Sequence, residues 1–169
     1  MPREKSAGAI IFRKENGNIY YLLLHYGSGY WGFAKGHIEG DESEEETTRR
    51  EVAEETSITD LKIIPGFKKI EKYFFRQYKE KGPKEQLKGY LDPKKGPALS
   101  LKSLEKKETP WVFKLVAFFL AETKTKEIKI SSEHKGFLWL PINEAIKKTT
   151  FKNSKDLLKA ANDFILSRE

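Results

Sequence analysis

The stretch GHIEGDESEEETTRREVAEETSI, Gly36 to Ile58, decides how the rest of the chain is read. It carries nine carboxylates and two arginines, a net charge of −7, inside a chain of 169 residues whose net charge is +7. The residues outside it therefore sum to +14. Such a concentration of acid in a basic protein calls for a physical account. Ser43 stands where it can cap a helix, and Glu44, Glu45 and Glu46 then fill the first turn, where the helix dipole favours anions. The helix is expected to end near Thr56 or Ser57. At about 100° per residue, Glu54 and Glu55 fall roughly 60° and 40° to either side of Glu51, so three carboxylates share one face. Like charges this close repel and weaken an isolated helix. The ordinary explanation of such a face is simple solvation. The alternative is a set of hard oxygen ligands, which suits Mg²⁺ or Mn²⁺.

Upstream, SAGAIIFR (Ser6–Arg13) and IYYLLLHY (Ile19–Tyr26) are rich in strand formers, and the Asn-Gly between them predicts a tight hairpin. GSGYWGFAKG then reads as a glycine-rich loop with exposed aromatics. Downstream, LKIIPGFKKIEKYFFRQY (Leu61–Tyr78) predicts a strand pair or a bent strand, and TPWVFKLVAFFLAET (Thr109–Thr123) a central buried strand. Between them, 79–110 holds four of the seven prolines and three glycines, with too few apolar residues for a core. It reads as an excursion from a single domain spanning 1–169. GFLWL (Gly136–Leu140) predicts a short strand, and Pro141 the first residue of a helix over PINEAIKK. The C-terminal segment predicts an amphipathic helix with Leu157, Leu158, Ala161, Phe164 and Ile165 on one face. This irregular alternation implies an α/β protein, a mixed β-sheet sandwiched between α-helices.

The totals bound the class. Apolar residues make up 38% of the chain, enough for a packed core in one domain of this length. Cysteine is absent, so no disulfide or thiolate metal site exists, which fits a reducing compartment. No apolar run approaches membrane-spanning length, and the N-terminus lacks the pattern of a secretion signal. The expectation is a cytoplasmic protein that needs no membrane and acts as a monomer.

Gly36, Glu42, Arg50, Glu51, Val52, Glu54, Glu55 and Ile58 stand at the spacings of the Nudix box, Gly-x5-Glu-x7-Arg-Glu-U-x-Glu-Glu-x-Gly-U with U aliphatic. The chain therefore resembles the Nudix hydrolases. Ser57 replaces the expected glycine, where a left-handed helix end is required, at some cost in stability. Beyond the box, AGAIIFR, LLLHY, YWGFAKGHIEGDE, IPGFKKIEKYF, VFKLVAFFLAE, SSEHKGFLWLPINEA and FKNSKDLLKAANDFI resemble the asymmetric diadenosine tetraphosphate hydrolases. Three features depart from that pattern: Ala34 replaces a proline, Phe118 replaces a tyrosine, and the excursion is longer.

The resemblance implies a Nudix fold and roles for particular residues. Glu51, Glu54 and Glu55 would hold Mg²⁺ or Mn²⁺ with a backbone carbonyl at Gly36, and one glutamate could activate water. Arg50 and Glu42 would pair and fix the loop to the helix. Lys35, His37 and Lys114 would lie near a phosphate chain, Tyr73 and Phe164 could clamp an adenine, and Glu133 could reach the metals. Each has a plainer reading beside it. Lys114 could pair with Glu71 or Glu122, His37 could be a simple loop histidine, Phe164 could pack in the core, and Glu133 could be solvated.

The implied reaction splits diadenosine tetraphosphate into ATP and AMP, so a dinucleoside polyphosphate and ATP are the expected small-molecule partners. Rival readings are removal of pyrophosphate from RNA 5′ ends, hydrolysis of a diphosphoinositol phosphate, or a non-catalytic nucleotide-binding module. The last has no chemical need for all three glutamates. No run resembles the RGFGF of an RNA-recognition sheet, so nucleic acid is not an expected partner.

Overall fold

The computed structural model describes residues 3–76 and 110–169. The predicted hairpin is β1 (Arg3–Glu15) and β2 (Asn18–Tyr26). Asn16 and Gly17 join them with φ of 51° and 80°, the doubly positive turn that Asn-Gly favours. The supposed loop after β2 instead carries two short strands, β3 (Trp31–Gly32) and β4 (Ala34–His37). β4 pairs antiparallel with β1, Ala7 facing Gly36 and Gly8 facing Lys35. Nothing in AKGH alternates, so the strand is imposed by its partner. Gly8 permits the approach, since a Cβ there would lie 2.2 Å from the Ala34 carbonyl oxygen. Nor are the aromatics exposed: Phe33 is buried, Tyr30 stacks on Tyr26 and Trp31 on His25.

α1 (Glu44–Thr56) starts at Ser43 with a full capping box, Ser43 and Glu46 each binding the other's backbone N–H. Ser57 ends it with φ of 64°, the left-handed geometry the motif reserves for glycine. β5 (Lys62–Arg76) is one bent strand whose register shifts between Ile63 and Lys68, with Gly66 at φ 90°. β6 (Trp111–Glu122) is central as expected, parallel to β1 and antiparallel to β5. β7 (His134–Leu140) pairs with β2. α2 (Ile142–Lys148) uses Pro141 as its cap rather than as its first residue, and α3 (Lys152–Ser167) follows. Apart from Pro110, the excursion expected over 79–110 lies outside the described residues.

The main path of the sheet runs β3-β2-β1-β6-β5, with β4 added to β1 and β7 to β2. Side chains alternate faces along each strand, so both faces of β1 are buried. On one face Ala9, Ile11, Leu22 and Leu24 pack with Val52 of α1. On the other, Ile10, Tyr21, Val116, Phe118 and Leu120 pack with Ala145 of α2 and with Leu157, Leu158, Ala161 and Ile165 of α3. This is the expected mixed sheet between helices. Among the described residues, no helix is long and apolar enough to cross a membrane.

Candidate active site

Arg50 ties α1 to β4 and to the loop between them. Arg50 Nε donates to Glu42 Oε1 at 2.6 Å, and Nη2 donates to Glu42 Oε2 at 3.0 Å and to the His37 carbonyl at 2.8 Å. This is the pairing of Arg50 with Glu42 that fixes the preceding loop to the helix. Hydrogen bonding from Arg50, joined by Thr47, pulls the Glu42 carboxyl down to about 2. Nη1 of the same guanidinium donates to Glu51 at 2.9 Å and to Glu54 at 3.3 Å. Arg50 therefore touches two of the three glutamates as well as the loop.

Glu55 faces elsewhere. Its Oε2 accepts from the Lys35 backbone N–H at 3.1 Å, and the residue is only 4% exposed. Burial pushes its carboxyl up to about 8, Lys35 opposing and the charges of Glu51 and Glu133 reinforcing. Burial also raises Glu51, against the hydrogen bond from Arg50. Gly36 explains itself here, because a Cβ on it would lie 1.9 Å from Cδ of Glu51. The backbone is bare at that point so that a carboxylate can lie against it.

Glu133 is exposed, yet its charge acts on both Glu51 and Glu55. The loop before it is pinned to the end of α1. Lys129 N–H donates to the Thr56 carbonyl and Ser131 N–H to the Glu55 carbonyl, both at 3.1 Å. The Lys35 ammonium lies 5.5 Å from the Tyr26 ring centre and acts electrostatically on Glu55, Glu71 and His134. His37 lies on β4 with Nδ1 3.8 Å from Glu4.

Lys114 is buried on β6, and its Nζ is 3.9 Å from Glu4. That carboxylate comes from the strand paired beside it; the sequence had suggested Glu71 or Glu122. Tyr73 sits opposite Lys114 in register and is half-buried. Phe164 does not join it. Phe164 packs edge-on against Phe67 at 5.5 Å, next to Gly66 and under Arg168. Phe67 and Tyr73 are six residues apart on β5, roughly 20 Å along an extended strand, so the two rings do not form one clamp.

Among the neighbours of the site, His134 and Glu4 escaped the sequence reading, and Glu71 entered it only as a partner for Lys114. His134 is buried, with Nδ1 3.1 Å from Ser131 Oγ and its ring edge-on to Tyr26 at 4.5 Å. Burial lowers its pKa to about 4, so it is neutral at physiological pH. Glu71 is raised by burial despite Lys35 and a hydrogen bond from Asn153. It lines a groove of about 360 Å³ between β5 and α3, with Lys69, Asn153 and Asp156. Strand alternation within KKIEKYFF places Glu71 on the same face as Tyr73. His134 and Glu4 lie next to residues already singled out, and sequence alone carried no further signal for them.

Among the described residues, no three of His, Cys, Asp or Glu form a ready metal-ligand set. Arg50 holds Glu51 and Glu54, and the Lys35 amide holds Glu55. The donor chemistry still fits a hard divalent cation. It supplies only carboxylate oxygens, and two of the carboxyls are raised by burial and by neighbouring carboxylate charge despite Arg50 and Lys35, a condition that a divalent cation relieves.

The family model for the NUDIX domain matches residues 2–161. The chain belongs to the Nudix family. As a Nudix pyrophosphohydrolase it acts on pyrophosphate bonds, in a family that generally uses a divalent metal. It is 30% identical to the asymmetrical bis(5′-nucleosyl)-tetraphosphatase of Mus musculus, over 96% of each chain. The Caenorhabditis elegans protein of the same name is 27% identical, over 95% of this chain and 96% of that one. A solved C. elegans Ap4A hydrolase binary complex superimposes with a TM-score of 0.71 at 25% identity, over 97% of this chain and 98% of the other.

Proposed function

We propose that this Nudix enzyme hydrolyses dinucleoside polyphosphates, splitting diadenosine tetraphosphate into ATP and AMP. The observation that carries the substrate is the end-to-end likeness to asymmetrical tetraphosphatases, 96% of both chains, rather than to the Nudix box alone. The products balance as one water added across one P–O–P bridge. Its oxygen goes to one phosphorus, and the broken bridge oxygen stays with the other.

Glu51, Glu54 and Glu55, with the Gly36 carbonyl, are the groups that would hold Mg²⁺ or Mn²⁺. Such a cation neutralises anhydride oxygens and acidifies a water. The remaining work falls to the chain's own residues. Arg50 fixes the helix to β4, so the glutamates cannot drift from the backbone they face. Lys35 supplies positive charge next to Glu55, and Lys114 a buried ammonium suited to phosphate oxygen. Tyr73, opposite Lys114 in register, offers a ring face for a base at the end of that phosphate chain.

The test is incubation with diadenosine tetraphosphate and Mg²⁺, with the products separated by anion-exchange chromatography. Equal amounts of ATP and AMP are expected. Two ADP molecules per substrate would overturn the asymmetric assignment. So would no turnover combined with pyrophosphate release from triphosphate-ended RNA.

A further inference from the structure

The outer end of the β5–β6 ribbon carries a surface the hydrolytic site does not use. One face of β5 reads Lys68, Ile70, Lys72, Phe74, Arg76, cation and apolar residue in alternation, all five exposed. Their partners on β6 are Phe119, Ala117, Leu115, Phe113 and Trp111. On the other side of β6, β1 sets Arg3 beside Phe113 and Lys5 beside Leu115. Register partners on adjacent strands point to the same face. The result is an apolar column of Leu115, Phe113 and Trp111, bordered by Arg3 and Lys5 on one side and by Lys72, Phe74 and Arg76 on the other.

Phe74 and Trp111 are 43% and 42% exposed. The Phe74 ring packs on Phe113 at 5.0 Å, and the Arg76 guanidinium lies 4.6 Å from the Trp111 ring centre. Lys68, at the inner end, pairs with Glu44 of α1. Arg3, Lys5, Lys72 and Arg76 make no ion pair with a described residue.

We propose that this face binds single-stranded nucleic acid. Exposed rings offer stacking platforms that accept any base, and the flanking cations track the phosphates. Same-face residues stand about 7 Å apart along a strand, leaving room for a ring between successive cations. A lipid surface would meet the same charges, but membrane-surface binding favours an amphipathic helix whose apolar face sinks into the bilayer. Here the rings lie on a sheet face with a guanidinium over one of them. The surface is independent of the substrate assignment above.

The experiment uses the full chain and a fluorescein-labelled single-stranded oligonucleotide of about twelve nucleotides, within the usual site size. Its 5′ end is a hydroxyl, so the hydrolytic site is offered no terminal phosphate. Anisotropy titrations should show salt-dependent binding. The Phe74→Ala, Trp111→Ala double variant should weaken it at least tenfold. Lys72→Ala with Arg76→Ala should lower the slope of log K against log salt by about 1.4, roughly 0.7 per cation. If the aromatic double variant unfolds, Lys72→Glu at its exposed position gives the same reading. Absence of binding at low salt would overturn the proposal. So would affinity indifferent to these variants, tighter aromatic-dependent binding to phosphatidylserine vesicles, or a concentration-dependent dimer that the double variant abolishes.

Discussion

α1 and α3 flank the same sheet and are held by opposite means. α3 buries Leu157, Leu158, Ala161 and Ile165, a single apolar stripe. α1 buries Thr47, Thr48, Val52, Glu55 and Thr56, of which only Val52 is a large apolar side chain. Apolar area holds α3, at about 1.5–3 kcal/mol per fully buried leucine. α1 is held by directed contacts instead: the Arg50 fork to Glu42 and His37, and the Lys35 amide on Glu55. Apolar packing tolerates small slips, whereas hydrogen bonds fix positions. The helix that carries the chemistry is the one whose position is fixed by hydrogen bonds, and it carries a buried acid that costs stability.

If this contrast is right, damage to α1 should show in rate and damage to α3 in stability. The largest effect belongs to Glu55→Gln, expected to lower kcat at least about a thousandfold, near 4 kcal/mol of barrier, while the fold survives. Turnover within tenfold of wild type at saturating Mg²⁺ would remove Glu55 from the chemistry. Gly36→Ala comes next. The new Cβ meets the movable end of Glu51, so kcat should fall about a hundredfold with the melting temperature shifted by only a few degrees. Gly8→Ala is its control, since there the Cβ meets fixed backbone and stability should suffer first. Leu158→Ala should cost about 2–4 kcal/mol in urea unfolding and leave kcat per folded molecule unchanged. A kcat loss matching that of Gly36→Ala would mean that the two helices are not separable in this way.

The smallest effect sharpens the electrostatic half of the comparison. An unfolded glutamate titrates near 4.3, whereas Glu55 in the folded chain titrates at about 8. Between those values the folded state keeps a proton that the unfolded state has lost, so stability falls as pH rises. Glu55→Gln cannot titrate. In metal-free buffer its melting temperature should match wild type near pH 5 and exceed it by a few degrees near pH 8. Equal melting curves at both pH values would show that Glu55 is not buried as an acid.

The two helices were also legible in the sequence for different reasons. α3 follows from apolar periodicity, and four of the five residues expected on its face are buried. Phe164 is the half-buried exception, because it leans on Phe67 at the bend of β5. α1 has almost no apolar stripe, and its reading came from caps, charges and motif spacing. Local chemistry predicted the Asn-Gly hairpin and the bent β5. β4 escaped because it is a strand only through its pairing with β1. The site divides the same way. Glu42, Arg50, Glu51, Glu54 and Glu55 sit within one helix and its entry loop, so spacing alone relates them. Glu4 beside Lys114, Asn153 beside Glu71 and Tyr26 beside His134 come from distant segments, and only the folded sheet brings them together.

The parallel pairing of β1 with β6 has a consequence for how the chain is made. β1 ends at Glu15 and β6 begins at Trp111. At roughly 5–20 residues per second, synthesis leaves β1 waiting about 5–20 s for its partner. During that time β2 and β4 can cover one edge of AGAIIF, but the other edge stays unpaired and apolar, a template for a neighbouring nascent chain. The centre of the sheet therefore closes only once β6 has been made, with β7 still to add to β2, and this protein should depend most on chaperones during the synthesis of its middle third.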